Sequence, residues 1–107
     1  MHTEKDLKSL VSKCKSAAVK RGVDLIIQPT NGQNLFVLAN LKEKKLVTVG
    51  LLDEGETQQL VAYVINSSKW RWYEEEGFTE EQITNSTIIR NDIFEPIPIN
   101  KIIKYLL

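Results

Sequence analysis

Residues 46–52 read Leu-Val-Thr-Val-Gly-Leu-Leu, and this run decides the fold. It is rich in aliphatic and β-branched side chains, which favour strands. Its apolar character is nearly continuous, whereas a strand with one solvated face alternates between apolar and polar residues. The run therefore predicts a strand in the middle of a sheet.

Two further strands are predicted before this central one, over residues 23–28 and 35–41. Between them lies Pro-Thr-Asn-Gly-Gln-Asn at 29–34, and its Asn-Gly pair is the strongest short hairpin signal. Residues 42–45, Lys-Glu-Lys-Lys, form a solvated turn into the central strand. Together the three strands predict an antiparallel meander.

A helix is predicted before the sheet, over residues 3–21. Its apolar residues recur every three or four positions and form one stripe: Leu7, Leu10, Val11, Cys14, Ala17 and Ala18. Thr3 and Asp6 match a capping box, and Gly22 stands where a helix commonly ends.

A second helix is predicted after the sheet, beginning in the polar segment 53–59 and burying Leu60, Val61, Val64 and Ile65. Its end is open. The helix either extends to Trp72 with Gly77 as its cap, or stops near residue 66 and is followed by a strand over 69–74. We favour the strand, because Asn-Ser-Ser at 66–68 is a poor helix interior.

The remaining chain predicts short elements. Thr79 and Gln82 match a capping box for a helix over 80–85, and residues 87–90 resemble a strand. The prolines within 95–99 require extended backbone, and Asn100 can cap a last helix over 101–107. The whole chain is predicted to be one α+β domain, residues 1–107, with its helices on one face of the sheet.

Composition limits the class of protein. The chain has 107 residues, of which 42% are hydrophobic and 26% charged, as in ordinary soluble domains. No apolar run is long enough for a bilayer, the first residues lack the apolar core of a secretory signal, and Cys14 is the only cysteine. We therefore expect a cytoplasmic protein with no membrane contact.

Charge is distributed unevenly although the formal net charge is zero. Residues 1–46 contain nine Lys and Arg against four acidic residues, and residues 47–107 contain five against ten. Such asymmetry between halves is a hint of a charged partner, unless folding mixes the two halves.

Catalytic residues are scarce. His2 is the only histidine, and Cys14 lies on the apolar stripe of the first helix, which predicts a core position rather than a nucleophile. The acidic groups at 53–56 and 92–95 lack the pattern of a calcium loop, and the glycines are scattered singly, without a phosphate loop. We expect no enzyme activity, no metal and no cofactor.

Nucleic-acid binding is one alternative function. A phosphate-contacting surface could be assembled from the first helix and the 42–45 turn, using Lys13, Lys15, Lys20, Arg21, Lys42, Lys44 and Lys45. The predicted order of helix, three strands and helix resembles that of double-stranded-RNA-binding domains over two-thirds of the chain. That family has a basic cluster at the start of its second helix, where this chain has Glu-Gly-Glu-Thr-Gln-Gln at 54–59. The departure excludes the family.

Residues 70–81, Trp-Arg-Trp-Tyr-Glu-Glu-Glu-Gly-Phe-Thr-Glu-Glu, are the most unusual stretch for function. They contain four of the eight aromatic residues and five of the fourteen acidic ones. Aromatic residues and Arg are enriched at the energetic centres of interfaces, and carboxylates steer a basic partner. Strand alternation would bury Trp70 and Trp72 together and expose Arg71 and Tyr73.

The leading hypothesis is a non-enzymatic protein-binding domain, specifically an inhibitor or immunity-type protein that blocks a basic toxin, nuclease or other effector. Its predicted contact residues are Arg71, Trp72, Tyr73, Glu74, Glu75, Glu76, Glu80 and Glu81. Another alternative is a structural or chaperone-like oligomer subunit that uses the apolar tail at 102–107. The sequence does not indicate an oligomeric state.

Overall fold

A five-stranded antiparallel sheet, with its strands in chain order, organises the computed structural model of the protein. The structure describes residues 3–29, 35–55, 57–84 and 95–107. The elements in chain order are α1 (Glu4–Arg21), β1 (Leu25–Pro29), β2 (Leu35–Asn40), β3 (Lys45–Glu54), β4 (Thr57–Ile65), α2 (Ser67–Glu75), α3 (Glu80–Thr84), β5 (Glu95–Pro96), a 3₁₀ turn (Ile99–Lys101) and α4 (Ile102–Leu106).

The predicted central strand is confirmed. β3 is ten residues long and pairs with β2 on one side and β4 on the other. Four consecutive residues of β3, Leu46 to Val49, are buried. Because successive side chains of a strand point to opposite faces, both faces of β3 must be covered.

Helices cover both faces of the sheet. On the first face α1 and α4 pack against β2, β3 and β4, in a core that includes Leu7, Leu10, Cys14, Leu38, Val47, Val49, Ala62, Ile102 and Leu106. On the second face α2 and α3 pack against the sheet, in a core of Val37, Ala39, Leu46, Ile65, Trp70, Tyr73 and Ile83. The α+β class is confirmed, but the prediction that all helices lie on one face is wrong.

The helix predicted to begin at 53–59 and continue through 65 is replaced by strand β4. Its apolar positions 60, 61, 64 and 65 fit helical spacing, but they also lie in a β-branched and aromatic run that pairs with nine residues of β3. Glu54 pairs with Thr57, and Gly55 has a φ of 67°. A two-residue hairpin loop favours such a glycine, because the tight turn requires positive φ.

The strand favoured over 69–74 is also wrong, because α2 occupies that region. The Asn66 side chain accepts a hydrogen bond from the Lys69 backbone N–H at 2.8 Å and caps the first turn. Asn-Ser-Ser therefore begins a helix instead of interrupting one. The alternative in which a helix includes Trp72 and ends at Gly77 placed the helix end correctly. Gly77, with a φ of 99°, follows the last turn of α2.

Several local predictions are confirmed. The Thr3 backbone N–H donates to Asp6 at 2.7 Å, and Gly22 ends α1 with a φ of 65°. Thr79 and Gln82 form the predicted capping box at α3, with bonds of 2.9 and 3.1 Å. Asn100, in contrast, lies within the 3₁₀ turn and does not cap α4. The predicted hairpin turn at 30–34 and strand at 87–90 lie outside the described residues.

The C-terminal helix α4 is fastened to the sheet. The Asn40 amide donates to the Leu106 carbonyl at 2.6 Å, and the Tyr105 hydroxyl donates to the Ile65 carbonyl at 3.3 Å. Ile102 and Leu106 are fully buried against the first face. The apolar tail is therefore part of the core of this chain.

The buried hydroxyl of Thr48 is expected to lower the stability of the fold. Its side chain is buried on the central strand, and its hydroxyl is without a hydrogen-bond partner among the described residues. A buried unsatisfied hydroxyl costs free energy, so Thr48→Val should raise the free energy of unfolding by about 1 kcal/mol. Urea denaturation monitored by circular dichroism measures the change. Thr48→Ser, which keeps the hydroxyl and loses the methyl, should lower stability, and a lower stability of Thr48→Val would contradict the prediction.

Candidate functional site

Helical periodicity determines which aromatic residues of α2 are exposed. Trp70 and Tyr73, three positions apart, face the sheet and are 1% and 5% exposed, whereas Trp72 is 47% exposed. The prediction that Trp70 and Trp72 are buried together and Tyr73 is exposed is therefore wrong, because it assumed a strand. Trp72, Phe78 and their exposed charged neighbours form what we call the acidic-aromatic surface, comprising Arg71, Trp72, Glu74, Glu75, Glu76, Phe78, Glu80 and Glu81.

The exposed ring of Trp72 is restrained by neighbouring side chains. The Lys69 ammonium lies 4.6 Å from the centroid of the Trp72 ring and 5.5 Å from that of Tyr73. Trp72 and Tyr73 meet edge to face, with ring centroids 5.3 Å apart. Cation–π and edge-to-face contacts of this kind favour one orientation of the ring in the free protein.

Phe78 is placed beside Tyr73 by the way α2 ends. The Gly77 N–H donates to the Glu74 carbonyl and the Phe78 N–H donates to the Tyr73 carbonyl, which is the Schellman pattern. The Phe78 ring packs at 90° against Tyr73, with centroids 5.5 Å apart, and remains 37% exposed. Phe78 was missing from the predicted contact residues, although a hydrophobic residue directly after a capping glycine is a recognisable signal.

The glutamates of this surface have two different roles. Glu74 forms an ion pair with Lys44 in the turn between β2 and β3, and nearby the Ser67 hydroxyl donates to the Glu43 carbonyl at 2.8 Å. These contacts fasten α2 to that turn. Across the part of the chain that the structure describes, the other four glutamates, which are all exposed, form no ion pair: Glu75, Glu76, Glu80 and Glu81.

The lysines of the 42–45 turn, which belong to the alternative nucleic-acid surface, differ in their surroundings. Lys44 is paired with Glu74, and Lys45 lies 5.3 Å from the centroid of the Tyr105 ring. Lys42 is exposed. Because Lys44 is engaged by Glu74, the turn at 42–45 presents fewer available cations than the sequence indicates.

The basic residues of α1 are exposed but do not share one face. Lys13 and Lys20 line a shallow groove on the outer side of the helix with Ser9, Ser12 and Ser16. Lys15 is two residues from Lys13, and residues at that spacing do not face each other. Arg21 is exposed in the last turn. Nucleic-acid binding by these residues remains a prediction.

Cys14 occupies the core, as its place on the apolar stripe predicted. Its side chain is 1% exposed among the residues of the first face, and burial raises the pKa of its thiol. A raised pKa disfavours the thiolate, which is the reactive form.

The described residues contain no group of three or more His, Cys, Asp or Glu side chains placed to hold a metal ion. Among the helices in the same residues, none has the length and apolar character to cross a bilayer.

The two tryptophans should respond very differently to substitution. Trp70→Ala removes a fully buried ring and should lower the free energy of unfolding by about 3–5 kcal/mol, whereas Trp72→Ala should cost about 1 kcal/mol or less. Urea denaturation measures both changes. Acrylamide quenching of fluorescence gives a second test: the remaining tryptophan should be quenched strongly in Trp70→Phe and weakly in Trp72→Phe. The reverse order would contradict the assigned burial.

Cys14 should react with a thiol reagent such as DTNB far more slowly in the folded protein than in urea, because burial both shields the sulfur and disfavours its thiolate. The matched control is the double variant Cys14→Ser, Val19→Cys, which moves the thiol to a position on α1 that is 74% exposed. Equal reaction rates for the native and relocated thiols would show that Cys14 is accessible.

Comparisons with known proteins yield no relative for this chain. No protein-family model, no curated protein and no solved structure matches it.

Proposed function

We propose that the protein is a non-enzymatic protein-binding domain that docks its acidic-aromatic surface on a basic partner protein and blocks it. In its most concrete form, this is an inhibitor or immunity-type protein that neutralises a toxin, a nuclease or another basic effector. The proposal rests above all on one observation: Trp72 is 47% exposed although two neighbouring side chains restrain its ring.

Two properties of Trp72 support this function: its residue type and the fixed orientation of its ring. Tryptophan is among the residue types most enriched at binding hot spots, where a large flat ring fills a pocket in the partner. A side chain that is already oriented loses less conformational entropy on binding. Phe78, 37% exposed beside the same Tyr73 ring, extends the apolar contact area.

The surrounding carboxylates indicate the charge of the partner. Residues 70–81 contain five glutamates and a single cation, Arg71. A surface of this sign attracts a basic protein and raises its association rate, and the effect weakens as salt screens the charges. An acidic partner would be repelled, so the charges contribute to selectivity.

The two alternative functions have weaker support. For nucleic-acid binding, Lys44 is engaged by Glu74, and Lys15 does not line the groove that Lys13 and Lys20 share. For an oligomer subunit, the apolar tail that suggested the idea is buried in the core of its own chain at Ile102 and Leu106.

Affinity capture with defined variants tests the proposed function. Immobilised wild-type protein should capture a basic protein from lysate of the source organism, identified by mass spectrometry and then purified. Trp72→Ala should weaken its binding by about 30-fold, the effect of losing a hot spot of about 2 kcal/mol. The pair Glu75→Lys, Glu76→Lys should lower the association rate and reduce its salt dependence. Surface plasmon resonance measures both.

The matched control is Val19→Ala, which truncates a side chain that is 74% exposed on α1, away from the acidic-aromatic surface. It should leave capture unchanged. The captured protein should also lose its own activity, such as cleavage of nucleic acid, when wild-type protein is added. Unchanged binding by Trp72→Ala and by the charge-reversal pair would overturn the proposed surface, and a captured protein that stays active would overturn the blocking role.

A further inference from the structure

A separate concave site lies where α4 meets the beginning of β3. This pocket has a volume of about 370 Å³ and is lined by Lys45, Ile97, Lys101, Lys104 and Tyr105. Ile97 and Tyr105 belong to the packing of the first face, whereas the acidic-aromatic surface is built on α2 and α3 over the second face. The pocket is therefore independent of the proposed protein-binding surface.

Three lysines, Lys45, Lys101 and Lys104, line this pocket. Lys45 begins β3, while Lys101 and Lys104 are more than fifty positions later, in the 3₁₀ turn and α4. Within the ranges that the structure describes, none of the three is paired with a carboxylate. A recess lined by three lysines that form no ion pair favours binding of an anion over binding of a cation.

The lysines are carried by a rigid support. The Lys45 ammonium donates to the Tyr105 carbonyl at 3.4 Å and lies 5.3 Å from the centroid of the Tyr105 ring. The Tyr105 hydroxyl is bound to the Ile65 carbonyl, and the Leu106 carbonyl is bound to the Asn40 amide. Because the backbone beside Lys104 is tied to the sheet at these points, the pocket needs little reorganisation to accept a ligand.

The lining of the pocket combines charged and apolar side chains. Ile97 and Tyr105 form the apolar part, which we call the floor, and the three lysines form the charged part. Glu95, whose charge raises the pKa of Tyr105 in addition to the larger effect of burial, lines a different recess with Val64, Asn66 and Lys69. A bare inorganic ion would use only the lysines and would leave the floor without a contact.

We propose that this pocket binds a small phosphorylated ligand, with its phosphates on Lys45, Lys101 and Lys104 and its flat apolar part on Ile97 and Tyr105. Lysine binds phosphate as a compact point charge, and three lysines match two or more phosphate groups. Compounds of the nucleoside polyphosphate class combine these phosphates with a planar ring.

Isothermal titration calorimetry with three probes tests the proposal on the full chain. ATP carries both the phosphates and the ring, pyrophosphate carries only the charge, and adenosine carries only the ring. ATP should bind most tightly, pyrophosphate more weakly and adenosine not measurably. Binding of ATP should weaken as salt is raised from about 50 to about 200 mM, since the contacts are charged. Amide chemical shifts of residues 101–105 should move on addition of ATP.

Two matched double variants distinguish binding of ATP in this pocket from non-specific electrostatic binding of ATP elsewhere on the protein. Lys101→Ala, Lys104→Ala should weaken ATP binding about tenfold or more, whereas Lys13→Ala, Lys20→Ala on α1 should change it by less than about twofold. Circular dichroism establishes that both pairs fold.

Three outcomes would overturn the proposal. The first is no binding of ATP or pyrophosphate at millimolar concentration, and the second is an equal loss in both variant pairs. The third is tight binding of an oligonucleotide without binding of ATP. Equal affinities for ATP and pyrophosphate would overturn the role assigned to Ile97 and Tyr105. None of these results bears on partner capture through Trp72, so the two proposals fail separately.

Discussion

The architecture depends on burying β3 from both sides. Four consecutive apolar or weakly polar residues of this strand, Leu46 to Val49, are withdrawn from water. Successive side chains of a strand point to opposite faces of the sheet, so a single layer of helices could bury only every second one. α1 and α4 cover one face, and α2 and α3 cover the other. The acidic-aromatic surface is the outer side of α2 and α3, and the lysine pocket lies where α4 meets the beginning of β3. The positions of both therefore depend on how the helices pack against this strand.

α1 and β3 could be predicted from their own residues, whereas β4 could not, because its pattern also fits a helix. The stripe and caps of α1 lie within one segment, so its residues specify the helix without the rest of the chain. β4 carries apolar residues at 60, 61, 64 and 65, a spacing compatible with a helix, and becomes a strand through its pairing with β3. Propensity is a weak guide when cross-strand pairing decides the outcome.

The sequence indicated that aromatic and acidic residues are concentrated at 70–81, but it did not indicate which rings are exposed. A composition signal does not depend on secondary structure, so it was visible before the conformation of this segment was known. The exposure of each ring does depend on secondary structure, and reading Asn66 as a helix breaker instead of an N-cap exchanged the positions of Trp72 and Tyr73. The lysine pocket gave no signal, because Lys45 and Lys104 are brought together only by the packing of α4 on the sheet.

Tyr73 contacts both exposed aromatic residues while its own ring is buried. The buried side of α2, with Trp70 and Tyr73, packs on the sheet, whereas its exposed side carries Trp72. We expect substitutions at Trp72 to change the shape and chemistry of the outer surface and to leave the packing of Tyr73 and Trp70 on the sheet in place. Surface substitutions usually cost little stability. The exposed side of α2 can therefore vary in sequence without a change in the core beneath it.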